Sequence, residues 1–139
     1  CIPIPELDAY LNSLSAEVRK FIHDVKHVPF DELCGWYKSA SVFVYPSLAE
    51  GFGIPPLEAA ACGIPTICAN TTSMRDFSFL GDNHFAPGNI NELKRILLRN
   101  LDHMTDDELR QVKKEVLDKY NWQTIAHNFS RDLRERLMV

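Results

Sequence analysis

Two glutamates stand eight residues apart around a glycine turn: Glu50, then Gly51-Phe52-Gly53-Ile54-Pro55-Pro56-Leu57, then Glu58. Glycines in such a turn allow positive φ or a close approach of backbone to a ligand. A helix starting just after them points free N–H groups and a positive dipole end at the same place, which suits a phosphate. The carboxylates repel phosphate. They accept hydrogen bonds from hydroxyls instead, and one ionised carboxylate can take two neighbouring sugar hydroxyls. An anion cradle flanked by two hydroxyl acceptors describes a site for a nucleotide-diphosphate sugar, one acid on the ribose and the other on the sugar beyond the phosphates. Taken singly, each acid has a plainer reading: Glu58 complements a helix dipole from the first turn, and Glu50 is a solvated loop acid. The two together, with the glycines and the proline-fixed helix start, favour the site.

A redox dinucleotide fingerprint is the nearest rival. Gly51-x-Gly53-x-x-Pro56 has proline where the third glycine must allow close helix–strand packing. Asn70, at the end of the next apolar run, stands where that fingerprint needs an acid for the ribose.

These residues need strands and helices to hold them. Pro5 to Asn12 reads as a short helix. Ser15 caps a second one running to Asp24, Val25 to Val28 reads as a strand, and 31–40 as a helix with Asp31 and Glu32 in its first turn. Ser41–Tyr45 is a β-branched and aromatic run that predicts a strand buried on both faces. Pro55 and Pro56 suit a helix start, and Gly63 a helix stop. Ile64–Asn70 and His84–Pro87 read as further strands. Asn89 with Glu92 and Thr105 with Glu108 spell two capping boxes. Asn121 begins a last helix with apolar residues at 122, 125, 126, 129, 133 and 137. Strands alternating with helices predict an α/β fold: a partial Rossmann-like parallel sheet with flanking helices and a helical tail. Ligands of such sheets bind beyond the carboxyl ends of the strands.

The 139 residues suit one domain, 1–139, and 45% hydrophobic residues suffice for a core. A net charge of −4 without a basic block excludes a nucleic-acid partner, and no apolar run reaches the length of a transmembrane segment. Cys1, Cys34, Cys62 and Cys68 match neither a metal motif nor a disulfide framework. They read as free thiols, buried at 62 and 68, in a cytoplasmic protein. His23 and His27 are spaced for zinc on a helix, but nothing nearby completes a set and Pro29 interrupts the helix. Ser47 lacks the surroundings of a hydrolase nucleophile. Trp122 reads as an apolar anchor. Arg131, Arg134 and Arg136 read as a solvated helix face.

The block "SASVFVYPSLAEGFGIPPLEAAACGIPTICAN", with "VKHVPFDELCGWYKSA" before it and "YNWQTIAHNFSRDL" near the end, resembles the retaining glycosyltransferases of the GT-B fold, family 4 type. The resemblance covers the chain from about Val25 onward. It implies the C-terminal donor-binding domain of such an enzyme, without the N-terminal acceptor domain. The implied reaction is transfer of a hexosyl group from a nucleotide-diphosphate sugar to an acceptor hydroxyl with retention, in polysaccharide or glycoconjugate biosynthesis. Glu50 would be the catalytic residue at the donor sugar. Gly51, Phe52, Gly53 and Ile54 would meet the sugar and diphosphate through their backbone, and Leu57 and Glu58 the nucleotide. No metal and no cofactor are implied. The partners would be the nucleotide sugar and a sugar or lipid-linked acceptor, with the longer protein cytoplasmic or peripheral at the inner membrane face. The sequence departs from the family pattern in lacking the Arg and Lys that would meet the diphosphate; Arg19 and Lys20 stand in a different context. A non-catalytic sugar-nucleotide or polysaccharide-binding module is the alternative reading.

Overall fold

A parallel sheet with helices on both faces carries the candidate loop, in a computed structural model that describes residues 4–25 and 27–137. The chain divides into two compact units, Cys1–Leu33 and Cys34–Val139.

The first unit begins with α1, Pro5–Ser13, opened by a proline at its start, where a missing N–H costs nothing. Ser15 caps α2 by accepting from the Val18 N–H at 3.4 Å. That helix covers only Ala16–Arg19, not the longer stretch to Asp24 that the apolar spacing predicts. Val18 and Phe21 remain exposed, and a helix this short is marginal without tertiary packing. The chain closes instead in a turn, with the Arg19 guanidinium donating to the Ile22 carbonyl at 2.6 Å. Val25, His27 and Val28 form no strand, and Lys26 lies outside the described residues. An apolar run becomes a strand only where a neighbour takes its backbone groups.

In the second unit β1 (Phe43–Tyr45), β2 (Thr66–Ala69) and β3 (His84–Phe85) pair in parallel in the order β1-β2-β3. Phe43 sits opposite Thr66 and Tyr45 opposite Cys68; Cys68 is opposite His84. The central β2 is buried at every position. By contrast β1 is half-buried, because it borders this sheet and has a neighbour on one side only. The burial on both faces expected of Ser41–Tyr45 is therefore not found in β1; β2 has it instead.

Alternation divides the core. On one face Leu57, Ala60, Cys68, Met74, Phe77, Phe79, Leu80 and Val116 form one cluster, with Tyr45 and Tyr120 packed against it. On the other, Ile67, Ala69, Phe85 and Ile96 pack with Val42, Val44, Leu93 and Leu97. The crossover from β1 to β2 is α4, Ile54–Ala61. Its end is a Schellman turn: Gly63, at φ 83°, donates to the Ala60 carbonyl and Ile64 to that of Ala59. Between β2 and β3 run two 3-10 turns, Thr72–Asp76 and Ser78–Leu80.

Three helices follow: α5 (Ile90–His103), α6 (Asp106–Lys119) and α7 (Trp122–Leu137). The Thr105–Glu108 capping box closes as expected. The Asn89 box does not. Asn89 accepts from the Glu92 N–H, but the Glu92 carboxylate accepts instead from Ala86 N–H at 2.7 Å, tying the helix to the end of β3. Asn121 serves two helices: its side chain donates to the Leu117 and Asp118 carbonyls and accepts from Thr124 N–H. Asn83 and Asn100, both buried, exchange two side-chain hydrogen bonds at 3.2 and 2.9 Å, which satisfies polar groups that would otherwise be costly to bury. The apolar spacing of α7 is as read, yet the helix has no buried residue. Trp122 is 81% exposed, so it is no anchor among the described residues.

Candidate functional site

The carboxyl ends of β1 and β2 lead into two loops that lock together. Residues 46–53 follow β1 and residues 70–73 follow β2. Thr71 donates from Oγ1 to the Ser47 carbonyl at 3.0 Å. The Glu50 N–H donates to Thr72 Oγ1 at 3.1 Å, and Ser73 Oγ donates to the Phe52 carbonyl at 2.8 Å. Thr72 reaches its partner from φ 41°, a left-handed conformation that is uncommon for a β-branched residue. The second loop thereby fixes the backbone on which the first acid stands.

Glu50 is held at its carboxylate as well. Tyr45 Oη and Ser47 Oγ both donate to Oε1, each at 2.7 Å. These bonds, that of Tyr45 first, hold the Glu50 carboxyl below the usual carboxylate range. Glu58 has one such partner: Tyr37 Oη donates to its Oε2 at 3.0 Å. The two tyrosines belong to one aromatic row. The Phe43 ring lies stacked beside Tyr45, centroids 6.0 Å apart, and edge-on to Tyr37 at 5.6 Å. Tyr37 comes from α3, Phe30–Ser39, and is itself buried.

The hydrogen bond to Glu50, with burial second, pushes the Tyr45 hydroxyl up to about 12. Burial first and the bond to Glu58 second raise Tyr37 well above the ordinary tyrosine value. Both folded-state values exceed the unfolded one near 10. The stability they contribute is complete below pH ~10 and is lost as pH rises through the folded values. Urea denaturation of the chain should show its midpoint falling between pH ~10 and 12, and falling less in Tyr45→Phe. A flat midpoint over that range would refute the coupling.

The glycine turn divides its labour unequally. Gly53 caps α4 in the left-handed region, φ 90° and ψ 59°. A Cβ there would stand 3.1 Å from Met74 Cγ and 3.4 Å from Phe77 Cε2. Gly51 has no positive φ, and a Cβ on it would meet nothing within 4 Å. Only Gly53 therefore carries the backbone demand expected of both. The helix start also offers fewer donors than its position promises. With α4 beginning at Ile54, Pro55 and Pro56 occupy its second and third positions and have no N–H. Ile54 is the one residue of the first three that presents a free amide. Glu58, fifth in the helix, lies beyond the first turn, which contains no acid. Dipole complementation thus does not account for it.

Phe52, Ile54, Leu57 and Glu58 share one cleft of about 550 Å³, whose far wall includes Tyr120 and Trp122. Glu50, Gly51 and Gly53 do not line it. Phe52 is half exposed, its ring 5.8 Å from Phe77 and 6.1 Å from Tyr120. Among the described residues no three His, Cys, Asp or Glu side chains gather as a metal site, His23 and His27 included. Cys34, Cys62 and Cys68 are free, Cys68 fully buried and Cys62 half-buried; Cys1 lies outside the described residues. No described helix is long and apolar enough to cross a membrane.

Tyr37, Tyr45, Ser47 and Thr72 are the residues that the spacing argument left out. Tyr45 and Ser47 do carry a signal, a donor five and three residues before an acid in one loop. Tyr37 carries none, because its partner is 21 residues away in the chain.

The family model described as glycosyl transferases group 1 matches residues 9–125, beginning ahead of the resemblance that runs from about Val25. The chain is 37% identical over 101 residues to the serotype-specific mannosyltransferase WbdA of Escherichia coli, covering 70% of this chain and 12% of that protein. It is 37% identical over 92 residues to the O-antigen chain mannosyltransferase B of Escherichia coli, covering 66% and 23%. A D-inositol 3-phosphate glycosyltransferase of Streptomyces bingchenggensis is 56% identical over 39 residues, 28% of this chain and 9% of that protein. The matched part of the chain thus spans between 9% and 23% of the length of these relatives. With a family match over most of its length and the two acids on the carboxyl edge of a parallel sheet, the chain belongs to the glycosyl transferases group 1 family.

Proposed function

We propose that this chain is the donor-binding part of a longer retaining glycosyltransferase that moves a hexosyl group from a nucleotide-diphosphate sugar to an acceptor hydroxyl. The observation that carries the reading is the pair of carboxylates, each seated on a tyrosine hydroxyl and each with acceptor capacity left over. Glu58 accepts one bond from Tyr37, so both its oxygens keep lone pairs for a vicinal diol, the arrangement a ribose presents. Glu50 accepts two bonds on Oε1 and offers Oε2 to a single sugar hydroxyl. Held ionised, Glu50 favours the positive charge that develops at the anomeric carbon as the nucleoside diphosphate departs with the bonding electrons. The acceptor oxygen then bonds that carbon on the face the diphosphate left, and its proton passes to the departing phosphate. The Gly53–Ile54 backbone meets the diphosphate, and no metal takes part. Basic groups of the longer protein complete the neutralisation.

The names of the Escherichia coli relatives favour a mannosyl residue and a polysaccharide acceptor, sugar or lipid-linked. Such an enzyme works in the cytoplasm or at the inner face of the membrane.

The test is titration of the intact protein with UDP, GDP, ADP and their hexose conjugates, against Glu58→Ala. Removing a hydrogen bond to a charged group costs ~1.5–3 kcal/mol, so nucleotide affinity should fall roughly 10- to 150-fold. Unchanged affinity would remove Glu58 from the nucleotide. Transfer followed by NMR of the product's anomeric proton reports retention. Binding without any transfer would convert the reading to that of a sugar-nucleotide-binding module.

A further inference from the structure

We infer that Tyr45 is the positioning residue of Glu50, seconded by Ser47, and that the pair restricts this acid to one oxygen, Oε2, for the donor sugar. The inference rests on the function proposed above.

A free glutamate side chain has three rotatable bonds, and ordering it for a ligand costs conformational entropy. Here that ordering precedes the ligand. Tyr45 is the last residue of β1, its ring stacked along Phe43 and packed against the cluster that contains Leu57 and Cys68. A hydroxyl on so fixed a ring is a rigid donor. Ser47 adds a second donor to the same oxygen, and its own backbone is held by Thr71. Thr72 fixes the Glu50 amide from the opposite side. The acid is therefore pinned at backbone and carboxylate before any sugar arrives, and Oε1 is already shared by two donors. Among the described residues no hydrogen bond uses Oε2.

Tyr45 is also the titratable neighbour that faces Glu50; Ser47, Thr72 and Ser73 are neutral. Behind Tyr45 stands Cys68, whose thiol burial pushes up to about 12, leaving it uncharged. The lowered titration of Glu50 thus comes from the two hydroxyl donors, Tyr45 first. Removing them should return its titration toward that of an ordinary carboxylate.

The experiment compares the intact protein with Tyr45→Phe, Ser47→Ala and the double variant, using Glu50→Gln as the control. Three quantities are read: kcat and KM for transfer from the hexose nucleotide, affinity for the free nucleoside diphosphate, and the acid limb of the pH–rate profile. In Tyr45→Phe, kcat should fall at least 10-fold, nucleoside diphosphate affinity should stay within twofold, and the acid limb should move to higher pH. The double variant should lose more. Ser47→Ala, which leaves the aromatic row intact, shows the same pattern in smaller measure and serves if Tyr45→Phe fails to fold. Glu50→Gln inactive with Tyr45→Phe and Ser47→Ala at wild-type rate and acid limb would overturn the positioning role and leave the proposed function standing. An equal loss of kcat and diphosphate affinity in both would also overturn it, as a structural effect. Wild-type transfer by Glu50→Gln would overturn the proposed function itself.

Discussion

Gly53→Ala is expected to destabilise the chain by about 2–5 kcal/mol, by two independent routes. The residue sits at φ 90° and ψ 59°, and holding an L-residue in the left-handed region costs roughly 1–2 kcal/mol. Its new Cβ would also stand 3.1 Å from Met74 Cγ and 3.4 Å from Phe77 Cε2. Met74 is fully buried and Phe77 nearly so, so neither can yield freely, and overpacking of this kind costs about 1–3 kcal/mol. Denaturant titration measures the sum. Gly51→Ala is the internal comparison. It has ordinary φ and open space, so its effect should stay within about 0.5 kcal/mol. Equal effects at the two glycines would refute the asymmetry of the turn. The consequence reaches function, because Gly53 joins the loop that carries Glu50 to the helix that carries Glu58. A shift there moves one acid relative to the other.

Ile67→Ala should be of similar size, about 2–5 kcal/mol, for a different reason. Ile67 is fully buried in the central strand, with Ala69, Phe85 and Ile96 about it. Alanine removes its apolar contacts and leaves a space that a close-packed sheet and helix cannot fill. Val44→Ala, one strand over in register with Ile67 but half-buried, should cost less. The order of the two denaturation midpoints checks that β2, and not β1, is the central strand of the core. The reverse order would contradict it.

Much of this arrangement was legible in the sequence because it rests on local chemistry. The Gly63 stop, the Thr105–Glu108 box and the Asn121 cap involve residues within a few positions of one another, and all form. The apolar runs at 43–45 and 66–69 became parallel strands, and the acids arrived at the sheet's carboxyl edge because β1 delivers the loop and α4 returns from it. Where reading failed, the deciding partner lay elsewhere. The helix expected to Asp24 shortened because its apolar residues found no burial. Val25, His27 and Val28 had strand composition without a strand. Glu92 abandoned its box because the end of β3 presented the Ala86 amide.

The sequence by itself therefore determined the α/β pattern, the family, and the two acids with their glycine turn, since each is written in residue types at short spacing. Only the tertiary structure decided which groups hold those acids. Tyr37 meets Glu58 across 21 residues, and Thr72 meets Glu50 across 22. The inequality of the glycines depends on where Met74 and Phe77 pack. Hydrogen-bond capacity at a carboxylate is set by whatever the fold places beside it, and spacing along the chain does not encode that.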